Sequence, residues 1–187
     1  MLYHVRYLPI ACMLFTFAGC GGGDDQTALT PDETTMGKND LWDATYDRIL
    51  KQHGDDVQLN QIPKPQQAVL AVVNSHGILG NGGFQYLFEG DFPGDPGFVL
   101  TRQAYATIGA NDAIAAFDKA FTLFPNSTPP ADIDERLRIW QSNYDLRDSL
   151  ADDSSPDSMY FSAMDGVLSR LNEYIRENPD AFADLPN

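Results

Sequence analysis

The run FVLTRQAYATIGANDAIAAFDKAFTLFP, residues 98–125, decides the fold class. Val99, Leu100, Ala104, Tyr105 and Ile108 recur at the spacing of one helix face. Gly109 then supplies a stop and Asn111 a cap, and Ile114, Phe117, Phe121 and Phe124 resume the same period until Pro125 breaks it. Two helices joined by a glycine, with no alternating pattern between them, leave no place for a strand.

Reading outward, Asp132 opens a further helix carrying Ile133, Leu137, Trp140 and Tyr144, and a polar loop follows from Asp148 to Pro156. The last helix bears Tyr160, Phe161, Met164, Val167, Leu168, Leu171, Tyr174 and Ile175, and Pro179 ends it. In the other direction, Asp91 to Gly97 is a loop with Pro93 and Pro96, preceded by a short amphipathic segment of Phe84, Tyr86, Leu87 and Phe88. Asn74 to Gly83 reads as a turn-rich run because Gly77, Gly80, Gly82 and Gly83 crowd into it. Before it, Pro65 to Asn74 is expected to be a helix with Ala68, Val69, Val72 and Val73 on one face, although the β-branched valines leave a strand open. Asn39 or Asp40 caps a first helix with Leu41, Trp42, Tyr46, Ile49 and Leu50, stopped by Gly54. The expectation is an all-α single domain of about six helices over residues 38–187.

The first 19 residues have another character. Arg6 precedes an apolar run from Tyr7 to Phe17, too short to span a bilayer and of the length of a signal-peptide core. Phe17-Ala18-Gly19-Cys20 resembles the bacterial lipobox, with Phe17 where an aliphatic residue is usual. That resemblance implies cleavage before Cys20 and lipid on its thiol, with enough acyl chains for stable membrane anchoring. Cys12 would leave with the leader, so the mature chain would hold no free thiol and no disulfide. Residues 20–37, rich in Gly, Asp, Thr and Pro, are expected to be a flexible tether. Gly21 rather than Asp after the cysteine fits the periplasmic face of the outer membrane or the cell surface.

The formal net charge is −15, and losing Arg6 makes the mature chain one unit more negative. Direct nucleic-acid binding is thereby excluded, since phosphate backbones call for clustered Lys and Arg. A basic protein would be attracted instead.

Little in the chain suggests catalysis. His53 stands at a helix end, and Ser75-His76 sits in the glycine-rich run without a third member to orient it. His-x-x-x-His, Gly-x-Ser-x-Gly and Walker-type patterns are missing. The acid pairs Asp24-Asp25, Asp55-Asp56 and Asp152-Asp153, and the trio Glu89, Asp91 and Asp95, lack the EF-hand spacing and read as solvated loops. No catalytic residue, metal or cofactor is expected.

One block carries a resemblance. Asn81-Gly82-Gly83-Phe84, then Tyr86-Leu87-Phe88, then Ala106-Thr107-Ile108-Gly109-Ala110, then Ala120 to Pro125, come in the order and spacing of the bacterial DNA-mimic protein family, over about a third of the chain. Gln85 follows Phe84 directly, where that family places its glutamine one residue later. The resemblance implies an acidic helical domain whose surface imitates duplex phosphates and occupies a DNA-binding protein. Read from the residues alone, Gly82 and Gly83 let two helices come close and Phe84 and Phe88 bury on one face, or else the free amides of the turn bind an anion. The candidate binding residues are therefore Asn81, Gly82, Gly83, Phe84, Gln85 and Gly109.

An exported chain does not meet a transcription factor, so what carries over is the fold and a capacity for binding protein. The expectation is a membrane-anchored, non-enzymatic interaction domain for another envelope or secreted protein, a basic one in one version and a cationic toxin in its narrowest, with a homodimer left open. The alternative is a ligand-binding protein or hydrolytic enzyme using the turn around His76, Asn81 and Gln85.

Overall fold

A computed structural model describes residues 40–144 and 153–186, all within one compact unit, Lys38–Asn187. The expected leader, Cys20 and the expected tether lie outside the described residues, as does most of the loop expected from Asp148 to Pro156. The described residues form six α-helices and no strand: α1 Leu41–His53, α2 Lys64–Glu89, α3 Val99–Thr107, α4 Asn111–Phe121, α5 Ile133–Asn143 and α6 Pro156–Glu177. Short 3₁₀ turns occupy Leu59–Gln61, Pro125–Ser127 and Pro179–Phe182.

The long α2 is the centre, with α1, α3, α5 and α6 packed around it and α4 laid against α3 and α6. Its length corrects the sequence reading. The helix does not stop near Asn74 but continues through Gly77 and Gly80, and the break falls at Gly82-Gly83. Each interior glycine costs roughly 1 kcal/mol of helix propensity. Fully buried Val69, Val72 and Leu79 offset that by packing along the same helix. Gly80 also lets α6 approach, since a Cβ there would lie 2.8 Å from the Met164 terminal methyl.

The α3–α4 junction follows the sequence closely. Gly109 takes φ 70°, its N–H donates to the Ala106 carbonyl at 3.1 Å, and the Ala110 N–H reaches the Tyr105 carbonyl at 2.9 Å. This paired geometry closes a helix while satisfying its last carbonyls. Two details differ. Ala110, not Asn111, sits at the cap of α4, because this closure leads straight into the next helix. Phe98 takes a left-handed turn before α3, which rotates Val99 out of the expected stripe to 62 % exposure and brings Thr101 inside. Asp95 drives that entry: its carboxylate accepts the Leu100 and Thr101 N–H groups at 3.0 and 2.7 Å and the Thr101 hydroxyl at 2.7 Å.

At the other end of the core, Asp132 caps α5 through the Glu135 N–H at 2.8 Å, as its position suggested. Pro156, expected at the end of a loop, is the first residue of α6, and Ser155 caps it. Phe88 is the aromatic hub, with Trp140, Phe124 and Phe98 at centroid distances of 4.9, 5.0 and 5.4 Å, mostly edge-on. Pairs of this kind add about 0.5–1.5 kcal/mol each beyond their burial. Phe161 departs from the expected stripe of α6 and is 38 % exposed.

Candidate functional site

The Asn81-Gly82-Gly83-Phe84 turn is built around a carboxylate. Gly83 takes φ 65°, ψ −160°, a region that side-chain-bearing residues essentially never enter. The Phe84 N–H thereby points at Asp157 Oδ1, 2.8 Å away, and the Tyr144 hydroxyl donates to Asp157 Oδ2 at 2.8 Å. Asp157 is 1 % exposed, and a Cβ on Gly83 would stand 2.3 Å from its Oδ1. A buried acid from the first turn of α6 thus caps the helix that restarts at Phe84. The Phe84 amide is occupied from within the chain, so it is not the free donor that anion binding at this turn would need. Gly82 lies under the Tyr86 ring, which a Cβ would strike at 2.2 Å.

The three residues of the alternative reading each have another partner. Asn81 Nδ2 donates to the Gly77 carbonyl at 2.7 Å, and Gln85 Nε2 donates to Glu89 Oε1 at 3.0 Å. His76, helical rather than in a turn, meets the Tyr160 hydroxyl through Nδ1 at 3.0 Å. No hydrogen bond joins any two of them.

His76 instead ends a buried polar chain across three helices. Tyr160 Oη lies 2.9 Å from Tyr105 Oη, which lies 3.0 Å from Ser75 Oγ, which donates to the Ala71 carbonyl at 2.5 Å. Four contacts need four hydrogens, and the last acceptor is a carbonyl that can give none. Three hydroxyls supply three of them, each aimed toward Ala71, so the fourth must be carried by His76 Nδ1. Neutral His76 is therefore the Nδ1–H tautomer with Nε2 unprotonated. Burial lowers its pKa below the usual histidine value, raises Tyr105 to about 12 and pushes Tyr160 further up, so the chain is uncharged near neutrality. Ser75, expected in an open turn, is fully buried.

Two cations that the sequence reading passed over hold the frame. Arg136 is 1 % exposed yet faces only carbonyls: Phe88 at 2.7 Å, Gly90 at 2.7 Å, Pro96 at 2.8 Å and Pro130 at 3.1 Å, with the Phe98 ring 4.9 Å from its guanidinium carbon. Arg48 grips the Phe182, Leu185 and Pro186 carbonyls at 2.8 to 3.1 Å and ties the C-terminal segment to α1. A polar residue inside a helical stripe was the available signal for Arg136, since Arg is rarely buried without a task.

The surface is acidic. Apart from buried Asp95 and Asp157 and half-buried Asp43, every described Asp and Glu is exposed. Among the described residues, Arg102–Asp118 is the one ion pair within 4 Å. His53, at the end of α1 as expected, pairs with Gln66 at 2.7 Å. Of the acid groups weighed for calcium, Asp95 is spent on α3, Asp55, Asp56, Glu89, Asp91 and Asp153 are exposed, and Asp24, Asp25 and Asp152 lie outside the described residues. No group of three or more His, Cys, Asp or Glu among the described residues is placed to hold a metal ion. Likewise, no described helix is long and apolar enough to cross a membrane.

Among the described residues, helices without strands, acids mostly left outside, and a glycine kink closed on a buried aspartate define an acidic all-helical class. A match to the family described as DMP19-like protein runs over residues 60–178, from the turn before α2 to the end of α6, and the chain belongs to that family. No curated protein and no solved structure matches the chain.

Proposed function

We propose that this chain is a lipid-anchored, non-enzymatic interaction domain that binds a basic envelope or secreted protein. The observation that carries the reading is the layout of charge. Among the described residues 20 Asp and Glu stand against nine Lys and Arg with one ion pair within 4 Å, while the buried acids Asp95 and Asp157 are taken up by partners within the chain. Unpaired surface charge of one sign steers an oppositely charged protein and sets its orientation. The membership in the DMP19-like family supports a helical domain of the DNA-mimic kind. The lipobox at Cys20 supports an envelope address, and with it a partner other than a transcription factor. Immunity against a cationic toxin is the narrowest form of the same reading.

Two experiments test the two halves. Metabolic labelling with a fatty acid is expected to mark the wild-type chain and not Cys20→Ala, and equal labelling of both would remove the anchor. Pull-down from envelope extracts at low salt is expected to recover a basic protein that about 0.5 M salt releases, since charges then act over only a few ångström. Recovery of no such protein would remove the binding role.

A further inference from the structure

The α3 and α4 helices and the Ser127–Pro129 segment enclose an open groove of about 570 Å³. Its walls are largely apolar, with Val99, Ala106, Phe121 and Pro129 among them, and Val99 shows the greatest exposure of any large apolar side chain described. Arg102 and Asp118 cross it as a two-point pair, at 2.5 and 2.7 Å. These charges satisfy each other, so the groove offers a visitor apolar surface rather than a charge.

At one end the groove meets Gly97 and Pro129, and the chain on either side of them is acidic. Gly97 lies against the Pro129 carbonyl, which a Cβ would meet at 3.6 Å. Beneath them Arg136 holds the Pro96 and Pro130 carbonyls, and its charge feels Asp91 and Asp132. Asp91 and Asp132 are both exposed, and exposed Asp134 and Glu135 follow Asp132 on the first turn of α5. Of the described non-glycine residues with positive φ, Ser127 lines the groove, and Phe98 and Asn126 are next in the chain to residues that do. Such conformations persist where the surroundings impose them and gather at binding sites.

Exposed charge pairs contribute little affinity, whereas a side chain seated in a pocket contributes most. An acidic binding surface therefore needs an apolar anchor point. We infer that the groove receives an apolar side chain of the partner, flanked by Lys or Arg residues that meet the exposed acids Asp91, Asp132, Asp134 and Glu135. This rests on the protein-binding reading above and names the chemistry of the segment bound.

The test uses fluorescent peptides rich in Lys and Arg with one central Leu, and a counterpart with Ser in its place. Ala106 is exposed on the groove wall, so Ala106→Trp fills the groove without entering the core. Anisotropy titrations are expected to show the Leu peptide bound more tightly than the Ser peptide. Ala106→Trp should weaken the Leu peptide about tenfold and the Ser peptide little. Asp134→Asn with Glu135→Gln should weaken both by roughly two- to fivefold. Equal binding of the two peptides, or full binding by Ala106→Trp, would overturn the inference. No binding of the Leu peptide would overturn it too, and a salt-released partner still captured by the protein would then leave the wider reading standing. Should Ala106→Trp fail to fold, the Val99 methyl resonances of the wild type decide: shifts on adding the Leu peptide support the groove, and their absence overturns it.

Discussion

Gly83 and Asp157 show how one residue pair fixes a bend. The backbone at Gly83 enters its unusual conformation only because no Cβ is present, and the space a Cβ would take is filled by a carboxylate that captures the next amide. Gly83→Ala is expected to cost about 3 kcal/mol, from the strained backbone and the clash together, read as a lower midpoint in urea unfolding. Asp157→Asn keeps the shape but cannot accept from both Phe84 and Tyr144 in the same way, and should cost about 1–2 kcal/mol. Arg136→Met would leave several buried carbonyls without a donor and should cost about 3 kcal/mol or more, with Arg136→Lys recovering only part because an ammonium lacks the planar fork. A loss below about 0.5 kcal/mol for Arg136→Met would show that water replaces the guanidinium. The glycine pair was legible in the sequence. Its partner was not, because Asp157 lies far along the chain and looks like any acid in a helix's first turn.

Among the elements, the helical pattern announced α1, α3, α4, α5 and α6 and the capping of α5 at Asp132, whereas the crowd of glycines hid the continuation of α2. Glycine content marks where a helix is weak, but it does not say whether neighbouring helices hold it together, and Leu79 with the close approach of α6 does so here. The Ser75–Tyr105–Tyr160–His76 chain is a property of three elements at once, invisible until α2, α3 and α6 meet. Its pH dependence follows from the direction of the His76 shift. Burial depresses the folded-state pKa, so between that value and the unfolded value near 6.5 the unfolded chain holds more protons. Stability from this group is thus present above about pH 6.5 and is lost as the pH falls through the folded value. In urea unfolding, wild type should lose more stability than His76→Gln between about pH 7.5 and 5.5; parallel profiles would contradict the assignment. Tyr160→Phe removes one hydrogen of the four and should cost about 1–2 kcal/mol at pH 7.

For the whole molecule, acidity and helical class were evident from composition and periodicity, while the use of the acids was not. Sequence treats Asp95 and Asp157 like the rest, yet these two are buried and hold helix starts, and the exposed remainder makes up the surface charge. That division lets most of the charge face outward, with Asp132 at the start of α5 and Asp118 beside Arg102 also bonded within the frame. Raising salt should therefore raise the fold's stability modestly, by screening the mutual repulsion of the carboxylates, while weakening association with a basic protein. The most direct measurement is the dissociation constant between the purified protein and its captured partner from about 50 to 500 mM salt. The expected result is a rise of at least about tenfold across that range. An affinity that stays level would contradict binding through the acidic surface.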